Sequence, residues 1–343
     1  MTAKISRANA VDLAGDLVLV ADIGGTHTRV ALARGDRLLR ETVCRHRNAE
    51  YAGLTSVLEA YLGAHGGVRC RGACVAVAGP VEGEKAQLTN LPWTIDKDIL
   101  QRSTQAQSVA ILNDLQAQGY ALGHIAADDL VLVRAAGRRN PAVDSGAQQA
   151  PRLMIGVGTG FNAAAVHEGQ GGRRWVAASE AGHAGMPVQS ADALSLCAFV
   201  RAVHGFAGVE DVLSGRGLER IYAWQARGRG RPEAKQAAQI MEECAAGGNP
   251  EAEAAVAMFV RLLGAISGDL ALIHLPLGGV YLVGGVARAM APYLERFGFA
   301  AAFCEKGRFA PFMEQFPVHL VTDDFAALAG SAAYIAQRAK PAP

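Results

Sequence analysis

The chain has almost no imbalance of charge: 33 Lys and Arg stand against 32 Asp and Glu, a formal net charge of +1. That leaves no electrostatic case for binding nucleic acid or an anionic membrane surface. Cysteine is sparse, six in 343 residues, and no pair has the spacing of zinc ligands. Cys70 and Cys74, the only close pair, would lie on one face of a strand but roughly 13 Å apart, too far for a disulfide. Reduced or buried thiols are the expectation. The opening residues Met1-Thr-Ala-Lys-Ile-Ser-Arg-Ala hold no apolar stretch of signal-peptide length. No run of membrane-span length escapes Gly, polar or charged interruption. A cytoplasmic globular protein is therefore expected, with neither membrane nor nucleic acid as partner.

Several catalytic motifs are missing as well. There is no Gly-x4-Gly-Lys-Ser/Thr run, no Gly-x-Ser-x-Gly elbow and no His-Glu-x-x-His. Gly156-x-Gly158 is followed by Phe161 where a dinucleotide fingerprint needs glycine. Walker-type, lipase-like, zinc-hydrolase and hydride-transfer readings fall back accordingly.

What is present is half hydrophobic and 19% charged, the composition of a globular protein long enough for two lobes. Its most informative stretch runs from Val18 to Ala33. An apolar run reaches Asp22, then Gly24, Gly25 and Thr26, and an apolar run resumes. Five apolar residues before Asp22 fit a buried strand better than a helix. A plain Gly-Gly hairpin would explain the pattern. Equally, adjacent glycines let backbone N–H groups approach an anion, and a strand-end carboxylate suits a hydrated metal.

Further along, Asp36–Cys44 reads as a third antiparallel strand and Tyr51–Leu62 as a helix. Arg71–Pro80 and Val81–Leu88 read as strands, Asp96–Arg102 as a capped helix. Val109–Asp114 is a strand delivering polar groups at its end, and Leu115–Leu122 a helix. Leu130–Arg134 is a strand, and 137–151 an exposed loop. Then the opening pattern returns: Gly156-Val-Gly158-Thr159 repeats the form of Ile23-Gly-Gly-Thr26, again followed by an apolar run and a third strand at Arg173–Val176. A duplicated three-strand meander with following helices is inferred. Ala191–Val203, Gly217–Ala226, Glu233–Cys244 and the long Glu251–His274 segment look helical. Gly264 and Gly268 in the last of these point to close packing against another element, and Arg227–Pro232 reads as a solvated loop. Gly279–Arg288 is strand, double glycine and helix start; Val318–Thr322 and Phe325–Arg338 are the last strand and helix.

Two Gly/Thr hairpins facing each other across a cleft could hold opposite sides of a polyphosphate, and Gly284-Gly285 could let an adenine lie on bare backbone. In this the chain resembles the sugar kinase, heat-shock ATPase and actin superfamily. Asp22-x-Gly-Gly-Thr26, Gly156-x-Gly-Thr-Gly160 and Gly284-Gly285 stand for its first phosphate, second phosphate and adenosine motifs. Within the superfamily it resembles the bacterial ATP-dependent glucokinases from Asp22 to Ser331. The likeness includes Thr89-Asn90…Trp93, Asn113-Asp114, Glu180-Ala-Gly-His183, Glu210–Gly215, Lys306-Gly-Arg308-Phe and Leu328-Ala-Gly330-Ser331.

The resemblance implies a two-lobed, actin-like (ribonuclease H-like) α/β fold with a duplicated mixed-sheet core. Residues 1–124 with 322–343 would form a small lobe and 125–321 a large one. It implies phosphoryl transfer from MgATP to the 6-hydroxyl of glucose, with Asp114 as base. Asn90, Asn113, Asp114, Glu180, His183 and Glu210 would bind the sugar. Ala21, Asp22, Ile23, Gly24, Gly25, Thr26, Gly158, Thr159, Gly160, Gly284 and Gly285 would bind nucleotide, Asp22 holding Mg²⁺ through water. Relatives imply a homodimer. The chain departs from the family pattern with His27 for Asn, Asn162 and Ala181 for Gly, and Leu115 for Phe. The rivals are a kinase for another hexose or amino sugar, and a non-enzymatic nucleotide-binding regulator of the same fold. The zinc-bearing sugar-kinase branch is disfavoured because His183 is followed by Ala184-Gly-Met-Pro-Val-Gln-Ser, with only Cys197 later.

Overall fold

A computed structural model describes residues 16–88, 91–137 and 149–339. Most of the loop expected over 137–151 lies outside them. The chain divides into two compact units, residues 1–124 with 324–343, and residues 125–323.

In the first unit β1 (Leu17–Ile23) and β2 (His27–Arg34) form the antiparallel hairpin around the first glycine turn. Strand β1 is almost wholly buried and β2 is buried from Val30 to Ala33, which is why these stretches read as apolar runs. The expected third strand is interrupted. Its parts are β3 (Arg37–Leu38) and β4 (Cys44–Arg47), both paired with β2 and separated by a single 3₁₀ turn at Arg40–Thr42. The buried Thr42 hydroxyl causes the break: it accepts from the Leu32 amide at 2.9 Å and donates to the Leu39 carbonyl at 2.7 Å, replacing a ladder contact.

Helix α1 (Leu54–Ala64) leads to β5 (Gly72–Val77), parallel to β1. Val81–Leu88 is a hairpin and not one strand: β6 (Val81–Glu82) and β7 (Lys85–Gln87) are antiparallel, and an unforeseen β8 (Thr94–Asp96) joins them. Asp96 caps α2 (Lys97–Thr104), its carboxylate accepting from the Ile99 amide at 2.7 Å. Strand β9 (Ser108–Asn113) runs parallel to β5 and passes directly into α3 (Asp114–Ala121).

The second unit begins with β10 (Leu130–Arg134) and repeats the plan. Here β11 (Arg152–Val157) and β12 (Phe161–Glu168) are antiparallel, followed by β13 (Arg174–Val176). Helices α4 (Ala191–His204), α5 (Gly215–Gly228), α6 (Ala237–Ala246) and α7 (Pro250–His274) come next. Helix α5 carries on into the expected Arg227 loop, while α6 starts later than expected. Then come β14 (Val280–Val283), α8 (Gly285–Leu294), α9 (Phe299–Cys304), α10 (Ala310–Met313) and β15 (Val318–Val321). The order β12-β11-β14-β15 matches β2-β1-β5-β9 in strand direction throughout. The duplicated mixed-sheet core is therefore present.

Short α9 and α10 had no periodicity long enough to announce them. The first of them explains the small residues of α7: a Cβ on Gly264 would stand 2.5 Å from the Phe299 carbonyl, and one on Gly268 would collide with the Phe303 carbonyl. By length and mean hydropathy α7 could cross a membrane, but Arg261, Gly264, Gly268 and Asp269 interrupt it, and it is mostly buried in the core of its unit. The final helix α11 (Ala326–Ala339) belongs to the first unit and packs on β1, β5 and α3. All the cysteines are free. Burial pushes Cys70 to about 11 and Cys74 to about 12, so both stay unreactive thiols.

Candidate active site

In the first unit the β1–β2 turn exposes Gly25 and Thr26 and closes with a Gly24 N–H···O=C His27 bond of 3.0 Å. Neither glycine has a positive φ, and a Cβ on Gly24 would meet only the His27 carbonyl, at 3.4 Å. Ala21 and Ile23 are fully buried, which leaves only their main chain for any ligand. Between them Asp22 points the other way, partly exposed, with Arg29 Nη1 at 3.6 Å. Burial raises the Asp22 carboxyl above the ordinary carboxylate range, and Arg29 offsets part of that rise. Arg29 also donates to the Asp324 carbonyl at 3.1 Å.

Asn48, which sequence reading missed, holds this turn. Its Nδ2 donates to the Gly24 carbonyl at 2.8 Å, its amide donates to the Thr26 carbonyl at 2.9 Å, and its Oδ1 accepts from the buried Thr28 hydroxyl at 2.8 Å. His27, the departure beside Thr26, is occupied differently. Arg45 donates to its Nδ1 at 3.1 Å. Desolvation, with Arg45, Arg47 and Arg29 nearby, lowers its pKa, so the ring is neutral at pH 7.

At the end of β9, Asn113 and not Asp114 is the helix cap. Its Oδ1 accepts from the Leu115 amide at 3.0 Å, and its Nδ2 donates to the Gly79 carbonyl at 3.0 Å. Its Oδ1 also accepts from the Gln116 amide in a capping box, so one amide hydrogen remains for a ligand. Asp114 is the first helical residue, half-buried, its Oδ1 accepting from the Leu115 amide at 2.8 Å. The N-terminal end of a helix favours a negative carboxylate. Gly330 fixes the depth of this helix: a Cβ there would collide with the Ala117 carbonyl, so α11 lies directly against α3. Asn90, with Thr89, lies outside the described residues.

In the second unit the Gly158–Gly160 turn closes with a Gly158 N–H···O=C Gly160 bond of 2.9 Å and exposes Thr159. Glu210 is seated on it. Its Oε2 accepts from the Phe161 amide at 3.0 Å, and a Cβ on Gly160 would stand 2.5 Å from that oxygen. The Glu210 amide in turn donates to the Gly182 carbonyl at 2.9 Å, and the Gly215 amide to the Gly158 carbonyl at 3.0 Å. Glu180 and His183 sit at the two ends of a 3₁₀ turn, both exposed, with Oε2 and Nε2 4.0 Å apart. The fully buried backbone of Gly182 between them has no room for a Cβ against the Phe161 carbonyl. Gly284 follows β14 with φ of +104° and lies on the Val157 carbonyl, a conformation and approach that require glycine; Gly285 is exposed at the start of α8.

The second unit thus assembles Gly158–Gly160, Glu180, His183 and Glu210 on loops bonded to each other, with Gly284-Gly285 at the adjoining strand end. The first unit carries the Asp22–Thr26 turn and Asn113-Asp114 at the carboxyl ends of two parallel strands of one sheet, β1 and β9, with β5 between them, the usual place for ligands in such folds. Among the described residues no three His, Cys, Asp or Glu side chains converge as a metal cage.

A family model described as Glucokinase matches residues 19–338. Glucokinase of Neisseria meningitidis is 31% identical over 320 residues, covering 92% of this chain and 93% of that protein. Glucokinase of Saccharophagus degradans is 32% identical over 328 residues, covering 93% and 98%. A crystal structure of glucokinase from an Antarctic psychrotroph superposes with a TM-score of 0.82 at 29% identity, covering 94% of this chain and 99% of that one. The fold is accordingly the two-lobed, actin-like α/β fold of these kinases, and the chain belongs to the glucokinase family.

Proposed function

We propose that this protein transfers the γ-phosphoryl group of ATP to the 6-hydroxyl of glucose, yielding glucose 6-phosphate and ADP. The observation that carries the reading is the Glu210 bridge. One carboxylate caps the exit of a Gly/Thr turn suited to phosphate, and its own amide anchors the loop bearing Glu180 and His183. A phosphate turn and a polyol-binding carboxylate–imidazole pair are thereby built into one piece.

Glucose offers hydroxyls and little apolar area, so discrimination rests on paired donors and acceptors. Glu180 and Glu210 accept from sugar hydroxyls, His183 gives and accepts, and Asn113 uses its remaining amide hydrogen. Asp114 takes the proton from the 6-hydroxyl as that oxygen attacks the γ-phosphorus, and the bond to the β–γ bridging oxygen breaks. Thr26 and Thr159, with the turn amides, hold the phosphate oxygens. Gly284-Gly285 receives the adenosine. A partly exposed carboxylate beside exposed phosphate-binding amides suits a cation that arrives with nucleotide, so Asp22 would hold Mg²⁺ through water. When bound, that ion neutralises charge on the β- and γ-oxygens.

Initial rates for a panel of hexoses, each with ATP, ADP or polyphosphate, test the proposal. Glucose with ATP is expected to give the highest kcat/KM. Failure to phosphorylate any hexose would overturn it; preference for another hexose would move it to that sugar. The same reading makes the protein a cytoplasmic enzyme of glycolysis and a homodimer, the latter checked by light scattering.

A further inference from the structure

Asn162 is the residue opposite Gly156 in the β11–β12 register, just past the phosphate turn. Its side chain forms four hydrogen bonds. Oδ1 accepts from the Ala163 amide at 2.8 Å, the Ala181 amide at 3.0 Å and the Ser179 hydroxyl at 3.2 Å, and Nδ2 donates to the Ser179 carbonyl at 2.6 Å. Apart from the bond to its neighbour Ala163, every one reaches Ser179 or Ala181, the residues on either side of Glu180. The Ser179 hydroxyl shares its single hydrogen between Asn162 Oδ1 and the Ala163 carbonyl, the latter at 2.6 Å.

Glu180 has little else to hold it. Its side chain is 61% exposed, and its φ and ψ of −122° and 51° belong to neither helix nor strand. A carboxylate on such a loop discriminates between hydroxyl arrangements only if its backbone is held in place, and the main-chain groups on both sides of it are held by one amide side chain. We infer that Asn162 is a positioning residue for sugar selectivity: it sets the loop that carries Glu180 against the strand that leaves the phosphate turn. The inference rests on the reading of Glu180 as a sugar ligand. Asn162 itself touches neither sugar nor nucleotide; it acts through Glu180.

A double-mutant cycle on the full chain tests this, with Asn162→Ala, Glu180→Gln and the pair. Separate KM values are taken for glucose and ATP, and kcat/KM for glucose against its 2-epimer mannose. Asn162→Ala is expected to raise the glucose KM by about 10-fold or more. It should lower the glucose-to-mannose ratio and leave the ATP KM within about 2-fold, since the turn 158–160 keeps its own bonds. In the Glu180→Gln background the added effect of Asn162→Ala should largely vanish, because residues acting through one another are not additive. Equal rises in both KM values, or full additivity, would assign Asn162 a general structural role and overturn the inference. A Glu180→Gln variant indistinguishable from the parent would overturn the sugar-ligand reading itself, a separate result. If Asn162→Ala does not fold, Ser179→Ala loosens the same tether from its other end and is read by the same criteria.

Discussion

Asp22 and Arg29 are direct cross-strand neighbours at the end of the first hairpin, their charged groups 3.6 Å apart. The duplicated hairpin places Gly156 opposite Asn162 at the matching point. One plan thus yields two devices: a partly exposed ion pair beside the first glycine turn, and a hydrogen-bonded loop anchor beside the second.

The ion pair does not fully offset the burial of Asp22, whose carboxyl stays above its ordinary value of 3.8. An acid whose folded pKa is raised contributes stability below its unfolded pKa and loses it as pH rises through the folded one. At pH 7 Asp22 therefore destabilises the ligand-free protein. Asp22→Asn is expected to melt higher than the parent at pH 7, the gain disappearing as the pH falls below the ordinary carboxylate range. Activity should fall about 10–100-fold, the usual effect of losing a group that orients a metal's waters. Calorimetry across pH with parallel rates checks both; a lower melting temperature at pH 7 would contradict the first.

Asp114→Ala should lower kcat by roughly 10²–10⁴ with the fold intact, because Asn113 supplies the cap of α3. Asn113→Ala is the contrast. It loses that cap and the Gly79 tether and should cost about 1 kcal/mol of stability or more, visible in denaturant melts. Near-parental turnover in folded Asp114→Ala would remove it as the base.

Asn48→Ala should raise the KM for ATP while leaving that for glucose nearly unchanged, since it releases the Gly24 carbonyl of the turn and keeps the backbone bond to the Thr26 carbonyl. It also strips the fully buried Thr28 hydroxyl of its acceptor, a loss of about 1–3 kcal/mol. Adding Thr28→Val should recover part of the stability and none of the ATP affinity.

Gly330→Ala drives a methyl into the Ala117 carbonyl. Overpacking of this kind costs about 1–3 kcal/mol. Because α3 begins at Asp114, the displaced helix should also lower kcat without a matching change in the KM for ATP. A variant as active and stable as the parent would show that α11 moves aside freely.

Much of this protein was legible along the chain because the relevant forces are short-range there. Buried strands read as apolar runs, Asp96 announced the start of α2, the Gly/Thr turns announced the hairpins, and Gly264 with Gly268 announced a close neighbour for α7. The duplication was visible because both hairpins repeat the same local pattern. The third strand was misjudged because one buried hydroxyl, Thr42, outcompetes the ladder, and alternation carries no trace of that. Tertiary structure alone decided what holds the candidate site. Asn48 reaches Gly24 across 24 residues, Asn162 reaches Ser179 across 17, and Glu210 reaches Phe161 across 49. A polar side chain's partner is whichever unsatisfied backbone group folding brings within about 3 Å, and no periodicity or spacing along the chain encodes that distance.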